Sequence, residues 1–280
     1  MHYATKPPVG TPLNKAHRLN HGLMGYWPFW EGAGIGARDI SGNNNHGTLT
    51  NFPINPWTGG RHGGALRFDA VDDYVDIPDS AALSPIDAMT VSHWFYDTTL
   101  TANQATISKW NHATDTSWTF VMNQDSAGQI KFFIATSKTS SGNFATRTAT
   151  GMFSANQWTH VAAVYQGNQG GVNNTNNLKM YINGVFVTTT PNGSLPNSLT
   201  DTAASVRFGN IQNLGFPWNG LIDDVRIYNR ALSAVEIQAL AADPFCMYET
   251  ESKFRWFVPG VATPAAGPPV GSLALLGVGR

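Results

Sequence analysis

The chain has 280 residues, of which 42% are hydrophobic, 11% aromatic and 12% charged. Soluble domains average about 25% charge, so this composition excludes a mainly helical or coiled-coil protein, and the abundance of aromatic residues excludes disorder. Seventeen Lys and Arg against eighteen Asp and Glu leave a net charge of −1, which excludes any global field for nucleic acid or anionic lipid.

Residues 1–20 carry Pro7, Pro8 and Pro12 with few apolar residues, and they read as an extended arm. They hold no apolar run between a basic start and a small-residue cleavage site, so no export signal is expected. No stretch reaches the roughly 20 apolar residues of a membrane span, so no membrane insertion is expected. From Gly22 to Tyr228, short alternating runs are punctuated by Gly, Asn, Asp and Pro, the pattern of β-strands. Val91–Tyr96, Gln129–Ile134, Trp158–Tyr165 and Leu178–Ile182 place aromatic or branched residues at period two. Asn183-Gly184 supplies the positive φ values of a tight turn, which predicts a hairpin over Leu178–Thr188. Both faces of several strands are apolar, as in Phe132 and Ile134 against Phe133 and Ala135, and this predicts stacked sheets.

The pattern changes at Leu232–Ala241, where apolar spacing is helical, Ser233 stands three residues before Glu236 as a capping box, and Pro244 follows. Residues 244–280 then mix Phe254, Trp256 and Phe257 with a Pro/Gly/Ala stretch and Leu273, Leu275 and Leu276. That composition supports no core of its own and reads as an arm that docks on another surface. Cys246 is the single cysteine, so no internal disulfide forms.

Four segments in order resemble the laminin-G-like branch of the concanavalin A-like lectin/glucanase jelly rolls. They are GLMGYWPFWEGAG (22–34), ARDISGNNNHGTLTN (37–51), GGALRFDAVDDYVDIP (63–78, with Ala70 where the family usually has Gly) and GLIDDVRIYNRALSAVEIQAL (220–240). The resemblance implies an all-β, concanavalin A-like jelly-roll β-sandwich over residues 21–243. It would carry one short C-terminal helix, an N-terminal arm over 1–20 and a C-terminal arm over 244–280. First and last strands would lie side by side, with Arg226 and Arg230 paired to nearby carboxylates or carbonyls.

Calcium takes six to eight oxygens on a bent loop, and Asp39, Ser41, Asn43, Asn44 and Asn45 offer such a set. Asp223 or Asp224 on the closing strand could complete it; the resemblance implies Asp39 and Asp223 as ligands of a structural Ca2+, and the candidate set is Asp39, Asn44 and Asp223. The alternative is that Asp39 and the asparagines stabilise turns through side-chain-to-backbone bonds. The run Asp69, Asp72, Asp73, Asp76, Asp79 admits the same two readings, metal or catalytic cluster against turn amides, and the second is favoured. Glucanase chemistry needs paired carboxylates at a fixed separation, and the four glutamates, Glu31, Glu236, Glu249 and Glu251, form no E-x-D-x-E pattern. His93 and His160 lie within strands and are expected to be packed, and no catalytic residue is assigned. Trp57, Trp110, Trp118 and Trp218 occupy loop-like contexts and are the candidate rings for a sugar face.

PPVGTPLN (7–14) and ADPFCMYETESKFRWFVP (242–259) also resemble laminin-G-like proteins of tailed bacteriophages and prophages. That resemblance implies a non-enzymatic virion protein, a head-decoration or appendage module assembled in the host cytoplasm. Its arms would anchor it to other capsid subunits, as a homo-oligomer, and its sandwich would face outward toward a cell-surface glycan. Two alternatives stand beside it: a secreted, extracellular polysaccharide-binding or polysaccharide-degrading protein, and a ligand-free interaction domain.

Overall fold

The computed structural model describes residues 5–53, 55–111, 115–135, 144–167, 177–213 and 215–249. Met1–Glu249 form one compact unit, and the second unit, Thr250–Arg280, lies outside the described residues. The arm residues Phe254, Trp256, Phe257, Leu273, Leu275 and Leu276 are therefore outside them too.

In chain order the strands are β1 (Leu23–Trp27), β2 (Gly36–Ala37), β3 (Gly47–Thr50), β4 (Trp57–Gly59), β5 (Gly64–Asp69), β6 (Tyr74–Ile77), β7 (Ala88–Asp97), β8 (Gln104–Asn111) and β9 (Asp115–Met122). They continue as β10 (Ile130–Ala135), β11 (Phe144–Ala149), β12 (Trp158–Gln166), β13 (Leu178–Ile182), β14 (Val185–Val187), β15 (Thr190–Gly193), β16 (Val206–Phe208) and β17 (Asn219–Tyr228), followed by helix α1 (Ala234–Ala242). Eight strands form one antiparallel sheet in the order β14-β13-β12-β7-β17-β5-β4, with β1 also on β17. Nine form the other, in the order β15-β11-β10-β9-β8-β16-β6-β3-β2.

One face of each sheet supplies the main core, because alternation sends Val91 and Phe95 of β7, Val161 of β12 and Ile227 of β17 against Phe120 of β9 and Phe132 of β10. This is the jelly-roll sandwich that the sequence predicts. β1 pairs with β17, Trp27 opposite Val225, so the ends of the sandwich meet. Asn183 and Gly184 take φ values of 50° and 80° between β13 and β14, the expected turn. Ser233 caps α1 and Glu236 answers it, as the capping box requires. Among the described residues, no helix is long and apolar enough to cross a membrane.

Residues 5–20 differ from the extended arm expected of them. They lie against the outer face of the eight-stranded sheet, where Leu19 is fully buried in a second apolar cluster with Tyr26, Val164, Tyr181, Tyr228, Ile237 and Phe245. The physical reason is that this outer face is apolar and must be covered. Leu13 forms an antiparallel bridge with Tyr248, Asn14 N–H donates to Met247 O at 2.9 Å, and Glu249 N–H donates to Pro12 O at 2.9 Å. The start of the chain and residues 244–249 thus form one cover together with α1.

Candidate functional site

The outer face of the nine-stranded sheet carries a cleft of about 280 Å³ between β8, β9, β10 and the loop after β16. Trp110 and Phe133 form its floor edge to face, with ring centroids 6.4 Å apart and planes at 79°. Val121 and Ile211 are buried beneath, and Phe216 closes one side. Trp110, Phe133 and Phe216 remain half-buried, each with ring surface left to solvent.

Two irregularities in β8 set this arrangement. Its register against β9 slips between Ala105 and Ser108 and again between Lys109 and Trp110. The first slip sends Ile107 inward to the main core and Ala105 outward beneath the cleft. Lys109 then points inward, donating to Thr202 O and Ala204 O at 2.9 and 2.8 Å and pairing with Asp79 at 2.5 Å, while Trp110 turns outward. The loop is fixed by Asn210, whose Oδ1 accepts the N–H groups of Ile211 and Phe216 at 2.8 and 2.9 Å. Its carbonyl accepts the Ser108 hydroxyl at 2.8 Å.

Polar groups stand at the rim. Gln124 lines the cleft, its Oε1 accepting from Lys131 Nζ at 3.1 Å, and Lys131 also pairs with Asp125. Asn213 Nδ2 donates to Asn111 Oδ1 at 2.8 Å nearby. Among the described residues, neither Asp nor Glu lines the cleft. Chemically, aromatic edges and faces accept a flat C–H surface, and amides at the rim serve hydroxyls.

Residues 69–238 match the family model described as the concanavalin A-like lectin/glucanases superfamily. The chain belongs to this superfamily. A search of curated proteins found no match. Among solved structures, the binding domain of Paraclostridial Mosquitocidal Protein 1 is similar at a TM-score of 0.59 and 15% identity, over 80% of this chain and 52% of that one. Domain 4 of AbnA, a GH43 extracellular arabinanase from Geobacillus stearothermophilus, in complex with arabinotriose, is similar at 0.52 and 23%, over 78% and 98%. The botulinum neurotoxin serotype D ligand binding domain in complex with N-acetylneuraminic acid is similar at 0.58 and 14%, over 79% and 51%. The chain spans about half the length of the toxin domains it matches. At these identities the likeness is one of fold.

Of the four rings expected at a ligand surface, this concanavalin A-like sandwich places only Trp110 at the cleft. Trp118 and Trp218 are corrected to the interior, both fully buried in the main core: Trp118 because its position in β9 faces the other sheet, Trp218 because the loop before β17 turns inward and packs it against Phe95 at 5.8 Å. Trp57 is corrected too: it is 8% exposed, edge-on to Phe29, with its indole N–H donating to Gly34 O at 2.9 Å. Phe133 and Phe216 were not singled out in the sequence. Phe133 had a signal, since it is the apolar residue on the far side of Phe132, read there only as evidence for stacked sheets.

The calcium set fits its residues poorly. Asp39 accepts four bonds from protein donors: Tyr26 N–H and Ser41 N–H on Oδ1, Ser41 O–H and Asn45 N–H on Oδ2, all at 2.8–2.9 Å. That is the turn-stabilising alternative. Asn44 is exposed and takes a left-handed φ of 59° in the same turn. Asp223 is fully buried on β17 and paired with the Lys6 ammonium. Asp69, Asp72 and Asp73 do bring carboxylate oxygens within 4.8 Å of one another. Burial and the neighbouring Asp69 raise Asp73 to about 6, and Asp73 Oδ2 accepts the Asp69 N–H at 3.0 Å while Asp69 Oδ1 accepts the Val71 N–H at 2.9 Å.

The arginines pair as expected. A slip in β17 between Asp223 and Arg226, with Asp224 at φ 57°, brings all three to the outer face of the eight-stranded sheet. Arg226 donates to Asp224 at 2.5 Å, to the Tyr26 hydroxyl at 2.8 Å and to Pro244 O at 2.7 Å, all buried. Arg230 holds Glu236 at 2.8 Å. His93 lies in the core against Phe120 and His160 against Trp94, and burial holds both below the ordinary histidine range, His160 at about 3.

Proposed function

We propose that this chain is a non-catalytic carbohydrate-binding sandwich whose sugar site is the Trp110–Phe133–Phe216 cleft. The observation that carries the reading is an aromatic cleft left half-exposed on one outer face, lined among the described residues without a carboxylate, and sized for one or two sugar rings. Two of the similar structures are complexes with a sugar or oligosaccharide, which supports the same class of ligand.

The finer reading is a virion structural protein, a decoration or appendage module that presents this cleft outward. Its support is the resemblance of residues 7–14 and 242–259 to phage-encoded laminin-G-like proteins. Residues 5–20 and 244–249 are seated on their own sandwich, so anchoring to other capsid subunits falls to residues 250–280. A homo-oligomer would multiply a weak single contact. Mass spectrometry of purified particles tests the location: a stoichiometric band supports the virion, and secretion into medium supports the extracellular alternative.

Glycan-array screening followed by calorimetry tests the site. Trp110→Ala is expected to weaken the best glycan at least tenfold, about 1.4 kcal/mol, with a melting temperature within a few degrees of wild type. Unchanged affinity in that variant removes the cleft from the proposal.

A further inference from the structure

Asp223 stands where the family resemblance implies a calcium ligand, yet the group that meets it is a lysine from the other end of the chain. Lys6 reaches it along a defined path. Its N–H donates to His62 O at 2.8 Å, and its stem crosses Gly63 so closely that an added Cβ would come within 3.2 Å of Lys6 Cδ. Its ammonium then donates to Gly64 O and to Asp223 Oδ1. Gly60 leaves room for the oxygens: a Cβ there would stand 2.7 Å from Asp223 Oδ2 and 2.4 Å from Gly64 O. The lysine side chain is 5% exposed and the aspartate fully buried.

A carboxylate and a backbone carbonyl converging in a closed space are the donors that a hard cation takes. Here they already hold one positive charge, and that charge is covalently tethered, so it costs no loss of a free ion's translational freedom. Charge also balances. Asp223 and Asp224 are matched by Lys6 and by Arg226, which is committed to Asp224, Tyr26 and Pro244 O. A divalent ion entering beside Asp223 would either leave uncompensated positive charge in a buried site or have to expel Lys6.

We propose that Lys6 is a built-in counter-cation that takes the place of a divalent ion at Asp223, and that residues 5–13 are the strap that delivers it. The sandwich is then stable without calcium, and the amino-terminal segment is a structural part of the fold.

The test is thermal unfolding and terbium luminescence of the full chain as wild type, Lys6→Met, Asp223→Asn and the double variant. Wild type is expected to melt at the same temperature in EDTA and in millimolar calcium. Lys6→Met is expected to melt roughly 10 °C lower, the size of a broken buried ion pair in a chain of this length, and adding Asp223→Asn recovers most of the loss. Lys6→Met also gains Tb3+ emission sensitised by Trp94, which lies directly opposite Asp223 across β7 and β17, and the double variant loses it. Should Lys6→Met fail to fold, a folded double variant supports the proposal and an unfolded one overturns it. Three other results overturn it: Lys6→Met melting as wild type does, Lys6→Met without terbium emission, or a calcium-raised wild-type melting temperature that Asp223→Asn abolishes.

Discussion

The outer face of the eight-stranded sheet is covered by residues 5–20, α1 and residues 244–249; beneath that cover lie Asp223, Asp224, Arg226 and Tyr26, which Lys6 and Tyr248 of the cover meet. The outer face of the nine-stranded sheet instead shows Trp110, Phe133 and Phe216 half-exposed. The first face buries charged groups within an apolar cluster and the second leaves apolar rings half-exposed, and residue type alone would assign neither. Burial of charge is tolerated where every ion meets a partner. Apolar surface left in water keeps its transfer free energy available for a ligand. The covered face therefore holds the fold together, and the half-exposed one is the face we propose for the ligand.

The largest expected effect that separates the faces is Arg226→Met, which strands Asp224 and Tyr26 under the cover. It should cost about 3–5 kcal/mol in urea unfolding while glycan affinity in the folded fraction stays at the wild-type value. Equal damage to both would merge what is here kept apart.

Acid should act on the buried histidines next. The unfolded chain protonates His160 and His93 near pH 6.5, whereas burial keeps them neutral in the native state, His160 down to about 3. Protons bind the unfolded state first, so stability falls as pH drops through that window, by about 1.4 kcal/mol per pH unit for each histidine. Melting curves from pH 7 to pH 4 should show a shallower decline for His93→Leu than for wild type.

Smaller again is Glu236→Ala, which removes half of the capping box and the partner of Arg230, a bond that ties α1 to the chain just after β17. It should cost about 1–2 kcal/mol at pH 7. Burial alone would raise Glu236, but the bonds from Arg230 and Ser233 outweigh it and hold the carboxyl at about 2. Its contribution is thus complete above about pH 4.5 and is lost as pH falls toward 2, which denaturation of the variant at pH 7 and pH 3 would display as a shrinking difference. Smallest is a gain: Ala70 sits at φ 70° between the two sheets, so Ala70→Gly should add about 1 kcal/mol and leave both faces as they are.

The elements were legible in the sequence wherever adjacent residues carry them. Asn183-Gly184 demanded a turn, Ser233 and Glu236 a helix start, and alternation around Val91 and Trp158 two long strands. The candidate site was legible only in Trp110. Period two states that a residue lies in a strand but leaves open which face is inside, and slips in β8 and β17 reverse the phase part-way along. Trp118 fell on the inward phase of β9, and Trp218 was buried by the loop that leads into β17. Asp39 could not be assigned from its loop alone, because a carboxylate that closes a turn and one that holds an ion prefer the same neighbours.

By itself the sequence determined the hairpin and the capped helix, each resting on residue types within a short span, while the class of fold and the meeting of first and last strands were implied by the order of four family-like segments between residues 22 and 240. Only the tertiary structure decided that the amino-terminal segment is a cover, that three candidate tryptophans are core, and which face stays half-exposed. The reason is distance along the chain. Lys6 and Asp223 are 217 residues apart, and Trp110 meets Phe133 and Phe216 only across separate elements, so the partner of each is set by packing that no local pattern encodes.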